Sequence, residues 1–174
     1  MNERLHYFAY GSNLHPVRLT RRVPSARLTG VATLPEHTLR FHKRGKDNSG
    51  KCDAFFTGEP GHHVLGAVFE IAAGEKPILD EYEGSGYEVK SLMVRGAQGA
   101  LDVFAYIAAT THIDETLQPY TWYRELVRLG ARHHGFPDSY FAAFLAVDAL
   151  PDPNAARHER NQRLISMITS ERWI

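Results

Sequence analysis

Residue types and spacings that can do chemistry occur at two places in this 174-residue chain. The first is Tyr7-Phe8-Ala9-Tyr10-Gly11-Ser12-Asn13-Leu14, an apolar and aromatic run that stops at a glycine turn. A strand entering such a turn, with a helix beyond it, can aim successive backbone N–H groups at one point. The helix N-terminus adds partial positive charge, so Gly11, Ser12 and Asn13 become candidates to hold a carboxylate or a developing oxyanion. An ordinary strand-to-helix turn has the same local pattern. A phosphate loop is excluded, because no further glycines stand at the required spacing and no Gly-Lys-Ser/Thr follows. Ser12 lacks the Gly-x-Ser-x-Gly frame of a nucleophile, which leaves it as a pocket residue.

The second place is Leu79-Asp80-Glu81-Tyr82-Glu83-Gly84, where three carboxylates crowd a short helix. Asp80 and Glu83 are i, i+3 neighbours, so their repulsion, or burial of one of them, would raise a pKa toward a value useful for proton transfer. Glu83 is the stronger candidate. It stands at the helix end before Gly84-Ser85-Gly86, and helix C-terminal partial charge disfavours an ionised carboxylate there. A solvated acidic face is the competing reading of the same cluster.

The elements that must position these residues follow from hydrophobic period and breakers. Leu5 to Tyr10 reads as a strand, followed by a helix with Asn13 as its cap and Pro16 in its first turn, ending at Pro24. Leu28 to Leu34 and Leu39 to His42 read as strands, and the polar stretch from Lys43 to Lys51 as an exposed, mobile loop. Ala54 to Thr57 and Val64 to Ile71, separated by Gly58-Glu59-Pro60-Gly61, are expected to pair with each other. Glu75 to Glu83 carries Ile78, Leu79 and Tyr82 on one helical side. Tyr87 to Val94 and Leu101 to Ala108 form two more strands, joined through Gly96 to Gly99. Tyr120 to His134 is an amphipathic helix stopped by Gly135-Phe136-Pro137. Asp138 can cap a second helix reaching about Val147, and Ala155 to Glu171 forms a last helix anchored by Leu164, Ile165 and Ile168. Strands first and helices after, without regular alternation, predict an α+β fold: a small, partly closed mixed β-barrel flanked by helices. Residues 1–150 form one domain, and 151–174 a C-terminal helical extension.

Composition excludes several functions. Twenty Lys plus Arg balance 20 Asp plus Glu, which argues against nucleic-acid and membrane-surface roles. Residues 1–60 nevertheless hold ten of the cations and five of the acids. The single cysteine, Cys52, excludes an intramolecular disulfide framework and makes a reducing, cytoplasmic location the default. No apolar run approaches the roughly 20 residues of a membrane span, and the N-terminus has no signal-peptide pattern. Of the ten histidines, His62-His63 and His133-His134 are adjacent pairs, whose side chains diverge, so no metal site is expected. The basic stretch from Lys43 to Lys51 could hold a polyanion or an acidic substrate tail, although a solvated loop is the commoner fate of such a run.

Three motifs in one order carry a resemblance: Tyr7 to Leu14, Leu79 to Gly84, and Tyr123 followed by Leu129-Gly130-Ala131 and Gly135-Phe136-Pro137-Asp138-Ser139-Tyr140. Together they resemble the gamma-glutamylcyclotransferase family, from Leu5 to about Leu145. The resemblance implies an α+β fold with a small barrel and an enzyme that converts a gamma-glutamyl amide to 5-oxoproline and a free amine, without metal or cofactor. It places Tyr7, Phe8, Ala9, Tyr10, Gly11, Ser12, Asn13 and Leu14 along a substrate cavity. The family's catalytic glutamate falls on Glu83 and a substrate-contacting tyrosine on Tyr123. The implied partner is a small gamma-glutamyl compound. Glutathione, gamma-glutamyl amino acids and gamma-glutamyl amines all remain open, as do a larger gamma-glutamylated molecule, another amide, or non-catalytic binding of a small carboxylate. The apolar side of the last helix also offers a surface for a homodimer.

Overall fold

The computed structural model describes residues 3–170. Seven strands and five helices follow in order: β1 (Arg4–Ala9), α1 (Pro16–Arg22), β2 (Arg27–Pro35), β3 (His37–Arg44), β4 (Gly50–Phe56), β5 (His63–Ala72), α2 (Lys76–Glu83), β6 (Tyr87–Gly96), β7 (Gly99–Ala108), α3 (Thr121–His133), α4 (Asp138–Tyr140) and α5 (Ala155–Ser170). The fold class is the α+β arrangement that the sequence predicts. The barrel goes further than partial closure: β1, β5, β2, β6 and β7 form a closed ring. All pairings are antiparallel except β1 with β7, which meet in parallel at Tyr7 and Phe104 and seal the ring. There Tyr7 stacks on Phe104 with centroids 5.3 Å apart. A closed barrel leaves no unpaired edge. Phe8 lies opposite Val68 and Phe69 opposite Tyr7, so Phe8 and Phe69 point to opposite faces of the sheet, and both are almost wholly buried, as are Ile71 and Val94.

Strands β3 and β4 differ from expectation. They form their own two-stranded antiparallel sheet, and β4 does not pair with β5. The reason lies in buried polar groups. His42 Nε2 meets Asp53 Oδ2 at 2.8 Å, Asp53 Oδ1 accepts the Ala108 backbone N–H, and the Gly50 N–H donates to the Gln118 carbonyl. These bonds fasten the hairpin to the end of β7 and the loop before α3, satisfying groups that would be costly to bury alone. The stretch from Lys43 to Lys51 is therefore not an exposed, mobile loop. It contains the end of β3, a tight turn and the start of β4, with Lys43 and Ser49 almost fully buried. Asp47 accepts bonds from the Ser49 N–H and hydroxyl and from Lys51, closing the turn on itself.

Three smaller departures have equally local causes. The cap of α1 is His15, whose Nδ1 accepts the Val17 N–H; Asn13 is engaged elsewhere. In α2 only Leu79 is buried, while Ile78 and Tyr82 are exposed. After Pro137, α4 lasts one turn and widens into a π-helical turn over Phe141–Leu145 in place of a helix to Val147, and Asp138 makes no capping bond. Helix α5 lies against α3, with Ile168 buried and Leu164 and Ile165 packed on the core of the same chain. Its approach is fixed by Asp152, which accepts from the Trp122 indole N–H at 2.8 Å and pairs with Arg157. Among the described residues no helix is long and apolar enough to cross a membrane.

Candidate active site

Helix α2 ends because Gly84 takes φ 72°, a left-handed conformation that a side chain disfavours. The turn leaves Glu83 as the last helical residue, facing the loop that follows β1. Asn13 reaches across from that loop, and its Nδ2 donates to Glu83 Oε1 at 2.6 Å. Residues 70 positions apart are thus joined directly. Behind Asn13, Arg22 Nη1 donates to Asn13 Oδ1 at 3.1 Å, while the Arg22 guanidinium lies 4.7 Å over the Tyr82 ring. The amide of Asn13 is held from both ends, one cationic and one anionic, so its orientation is determined by its partners.

Gly11 comes close to β4. A Cβ at this position would lie 2.9 Å from the Cys52 Cβ and 3.5 Å from the Tyr123 hydroxyl, so only glycine lets the loop sit so near the sheet. Tyr123 is buried, and its hydroxyl accepts the Cys52 N–H at 3.0 Å. The Tyr87 hydroxyl donates to the Cys52 carbonyl at 2.6 Å. Tyr10 donates to the Tyr106 carbonyl. The result is a narrow inner pocket bounded by Tyr7, Tyr10, Gly11, Asn13, Glu83 and Tyr106, which opens past Ser12, Tyr87 and Tyr123 into an outer cavity of about 340 Å³. Volumes of roughly 300–1,000 Å³ are usual for small-molecule sites.

The electrostatics differ from those expected for neighbouring carboxylates. Asp80 does not face Glu83; it is bound by Lys76 at 2.7 Å and by the Tyr106 hydroxyl at 2.6 Å, which help hold its pKa below the ordinary carboxylate value against the effect of burial. Glu83 is raised, chiefly by burial, against the opposing pull of Arg22, Arg18, Lys43 and the Asn13 bond. Burial likewise pushes the Tyr7, Tyr10, Tyr87 and Tyr123 phenols and the Cys52 thiol far up, so all remain neutral near pH 7. Glu83 is the carboxylate common to both pockets and the group best matched to proton transfer.

Of the residues singled out from the sequence, Tyr7, Tyr10, Gly11, Ser12, Asn13, Glu83 and Tyr123 come together around the two pockets. Phe8, Ala9 and Leu14 do not line either; they are core residues behind the loop. Of the cations of the outer cavity, Lys43, Lys46 and Lys51 belong to the basic stretch weighed from sequence as a holder of an acidic substrate tail, whereas Arg18, Arg22 and Arg157 were not singled out. Arg18 and Arg22 do carry a signal, since i, i+4 residues of a helix share a face. Arg157 carries none, because its place depends on how α5 docks.

The sequence and the fold are matched by relatives. A family model described as gamma-glutamyl cyclotransferase, AIG2-like, matches residues 7–125. The chain belongs to that family. The gamma-glutamylcyclotransferase of Homo sapiens is 32% identical over 149 residues, 82% of this chain and 78% of the relative. The Bos taurus gamma-glutamylcyclotransferase is 31% identical over 140 residues, 77% of this chain and 73% of that one. A solved gamma-glutamyl cyclotransferase structure superposes with a TM-score of 0.81 at 27% identity, covering 95% of this chain and 99% of that chain. The gamma-glutamyl cyclotransferase match takes in the β1 loop, α2 and the first part of α3, and stops before Arg157.

Proposed function

We propose that this protein is a gamma-glutamylcyclotransferase that converts a small gamma-glutamyl amide to 5-oxoproline and a free amine. The observation that carries the reading is Glu83 tied to the β1 loop by the Asn13 bond, with Glu83 and Ser12 both lining the outer cavity of about 340 Å³. The reaction needs no nucleophile from the protein, because the substrate's own α-amino nitrogen attacks its γ-carbonyl carbon. Glu83 takes a proton from the α-ammonium group. The freed nitrogen then forms the lactam C–N bond, and negative charge develops on the carbonyl oxygen. Backbone N–H groups at Gly11 and Ser12 are the donors proposed to meet that oxygen. As the original amide C–N bond breaks, protonated Glu83 gives its proton to the departing amine, and the second proton lost by the lactam nitrogen follows through Glu83, so the amine leaves as an ammonium ion. Tyr7, Tyr10 and Tyr123, neutral and tightly packed, restrict the substrate to a folded conformation, an orientation effect potentially worth several kcal/mol.

The direct test is Glu83→Gln, assayed for 5-oxoproline release from a panel of gamma-glutamyl compounds. Turnover is expected to fall by about 10²–10⁴-fold with the circular dichroism spectrum unchanged. A folded variant with near-normal activity would remove Glu83 from the role. Binding by the wild-type protein without turnover on any member of the panel would favour a carboxylate-binding protein instead.

A further inference from the structure

The outer cavity is far more cationic than a general gamma-glutamyl site requires. Six basic side chains and two carboxylates line it. One of the carboxylates, Asp47, is taken by Lys51 at 2.8 Å, and Arg157 is paired with Asp152. Among the described residues, Arg18, Arg22, Lys43 and the exposed Lys46 have no carboxylate within ion-pair distance. Arg22 spends its donor on Asn13, and Lys43 donates to the Ser85 carbonyl at 3.0 Å beside the Tyr87 ring. Arg18 is the extreme case. It is 8% exposed, it lines the cavity, and its Nε has no hydrogen-bond partner.

A buried guanidinium without a counter-ion is costly, and the same low-dielectric surroundings strengthen its attraction for an anion that enters. Burial and Arg22 beside it push the Arg18 pKa down to about 9, which still leaves it charged at neutral pH. Arg18 is also near enough to both Glu83 and Lys51 to bias the ionisation of each. The cations therefore continue from the reactive carboxylate outward to Lys51, which sits 4.6 Å over the Tyr123 ring and 4.9 Å over Trp122.

The charges of a substrate can be set against these groups. The α-ammonium of a gamma-glutamyl compound belongs to Glu83, and its α-carboxylate accounts for one unpaired cation. A neutral amino acid as the leaving amine supplies one carboxylate more. Leaving aside the exposed Lys46, three unpaired cations are wholly or partly shielded from water, and they call for three. We propose that the preferred substrate releases an acidic amine, a dicarboxylic amino acid whose second carboxylate is held by Arg18 and Lys43. This rests on the cyclotransferase reading and names its substrate class. It also gives the inward-facing Lys43 and Lys51 a purpose that a solvated loop would lack.

The test compares isosteres on the wild-type protein: gamma-glutamyl-glutamate against gamma-glutamyl-glutamine, and gamma-glutamyl-aspartate against gamma-glutamyl-asparagine. At low salt kcat/KM is expected to be at least about tenfold higher for the acid in one or both pairs, with the advantage shrinking as salt is added. In Lys43→Gln and Arg18→Gln proteins the ratio is expected to fall toward one; should a variant fail to fold, the wild-type ratio still decides. Turnover with both wild-type ratios below about ten overturns the acidic-amine proposal and leaves the cyclotransferase reading standing. No turnover, but calorimetric binding of the acid at least about tenfold tighter, removes the cyclotransferase reading and keeps the anion site. No turnover and no such preference in binding removes both.

Discussion

Glu83 sits among groups that pull its ionisation in opposite directions, with burial the largest and Arg22 the first of the opposing cations. Removing Arg22 takes away a stabiliser of the carboxylate form, so the Glu83 pKa should rise further. In the proposed reaction the base form of Glu83 is the one that accepts the substrate proton. Activity must therefore be lost as pH falls through that pKa, and Arg22→Gln should move the acid limb of kcat/KM to higher pH by about half to one unit. Arg22→Lys, which keeps the charge, should shift the limb less. An unmoved limb in Arg22→Gln would show that Arg22 holds Asn13 in place without acting on Glu83. At this scale the sequence was partly legible. Glu83 and the Gly11-Ser12-Asn13 turn could be singled out from residue type and position, but repulsion from Asp80, burial and the helix end were all open as causes of a raised pKa. Burial is the larger cause, and Asp80 is tied to Lys76 and Tyr106.

The loop after β1 is carried by α1 and α3 through a group of histidines. His15 caps α1 through Nδ1, its ring lies 4.6 Å from that of His133, and the His134 Nε2 meets the Leu14 carbonyl at 2.8 Å. Gly130 of α3 lets Leu14 pack closely, since a Cβ there would lie 3.0 Å from the His15 nitrogen. Burial, with His133 and His134 close by, lowers the His15 pKa from 6.5 to about 4, and burial lowers those of His133 and His134 as well. A histidine depressed in the folded state is protonated first in the unfolded chain. Its contribution is therefore fully present above 6.5 and is lost as pH falls toward 4, at up to about 1.4 kcal/mol per pH unit. Urea melts between pH 7.5 and 4.5 should show this loss. His15→Asn, which keeps a capping acceptor but does not titrate, should flatten the slope. An identical slope in the variant would exclude His15 as a source.

On the scale of the whole molecule, the closed barrel is a rigid wall against which three separate elements place the site: the β1 loop, the end of α2, and the β3–β4 hairpin. The C-terminal segment joins them through the ion pair of buried Asp152 with partly exposed Arg157. Asp152 receives bonds from the Trp122 indole and the Arg157 guanidinium, and its carboxyl is held well below the usual range, first by the Arg157 bonds. Asp152→Ala leaves the Trp122 N–H without its partner and frees Arg157, so a loss of about 1–3 kcal/mol is expected in denaturant melts. Because Trp122 and Arg157 line the outer cavity, KM should rise more than kcat falls. An unchanged KM in a destabilised protein would limit α5 to a structural role.

By itself the sequence determined the α+β class, most element positions, and the two segments whose residue types can bind and move a proton, because period, breakers and motif spacing are local properties. Only the tertiary structure decided which strands pair, that the basic stretch from Lys43 to Lys51 turns inward, and that Arg18 and Arg157 join one cavity with Glu83. These depend on contacts between residues far apart in the chain. Their energies come from burying and pairing polar groups such as His42 with Asp53, which no local pattern records.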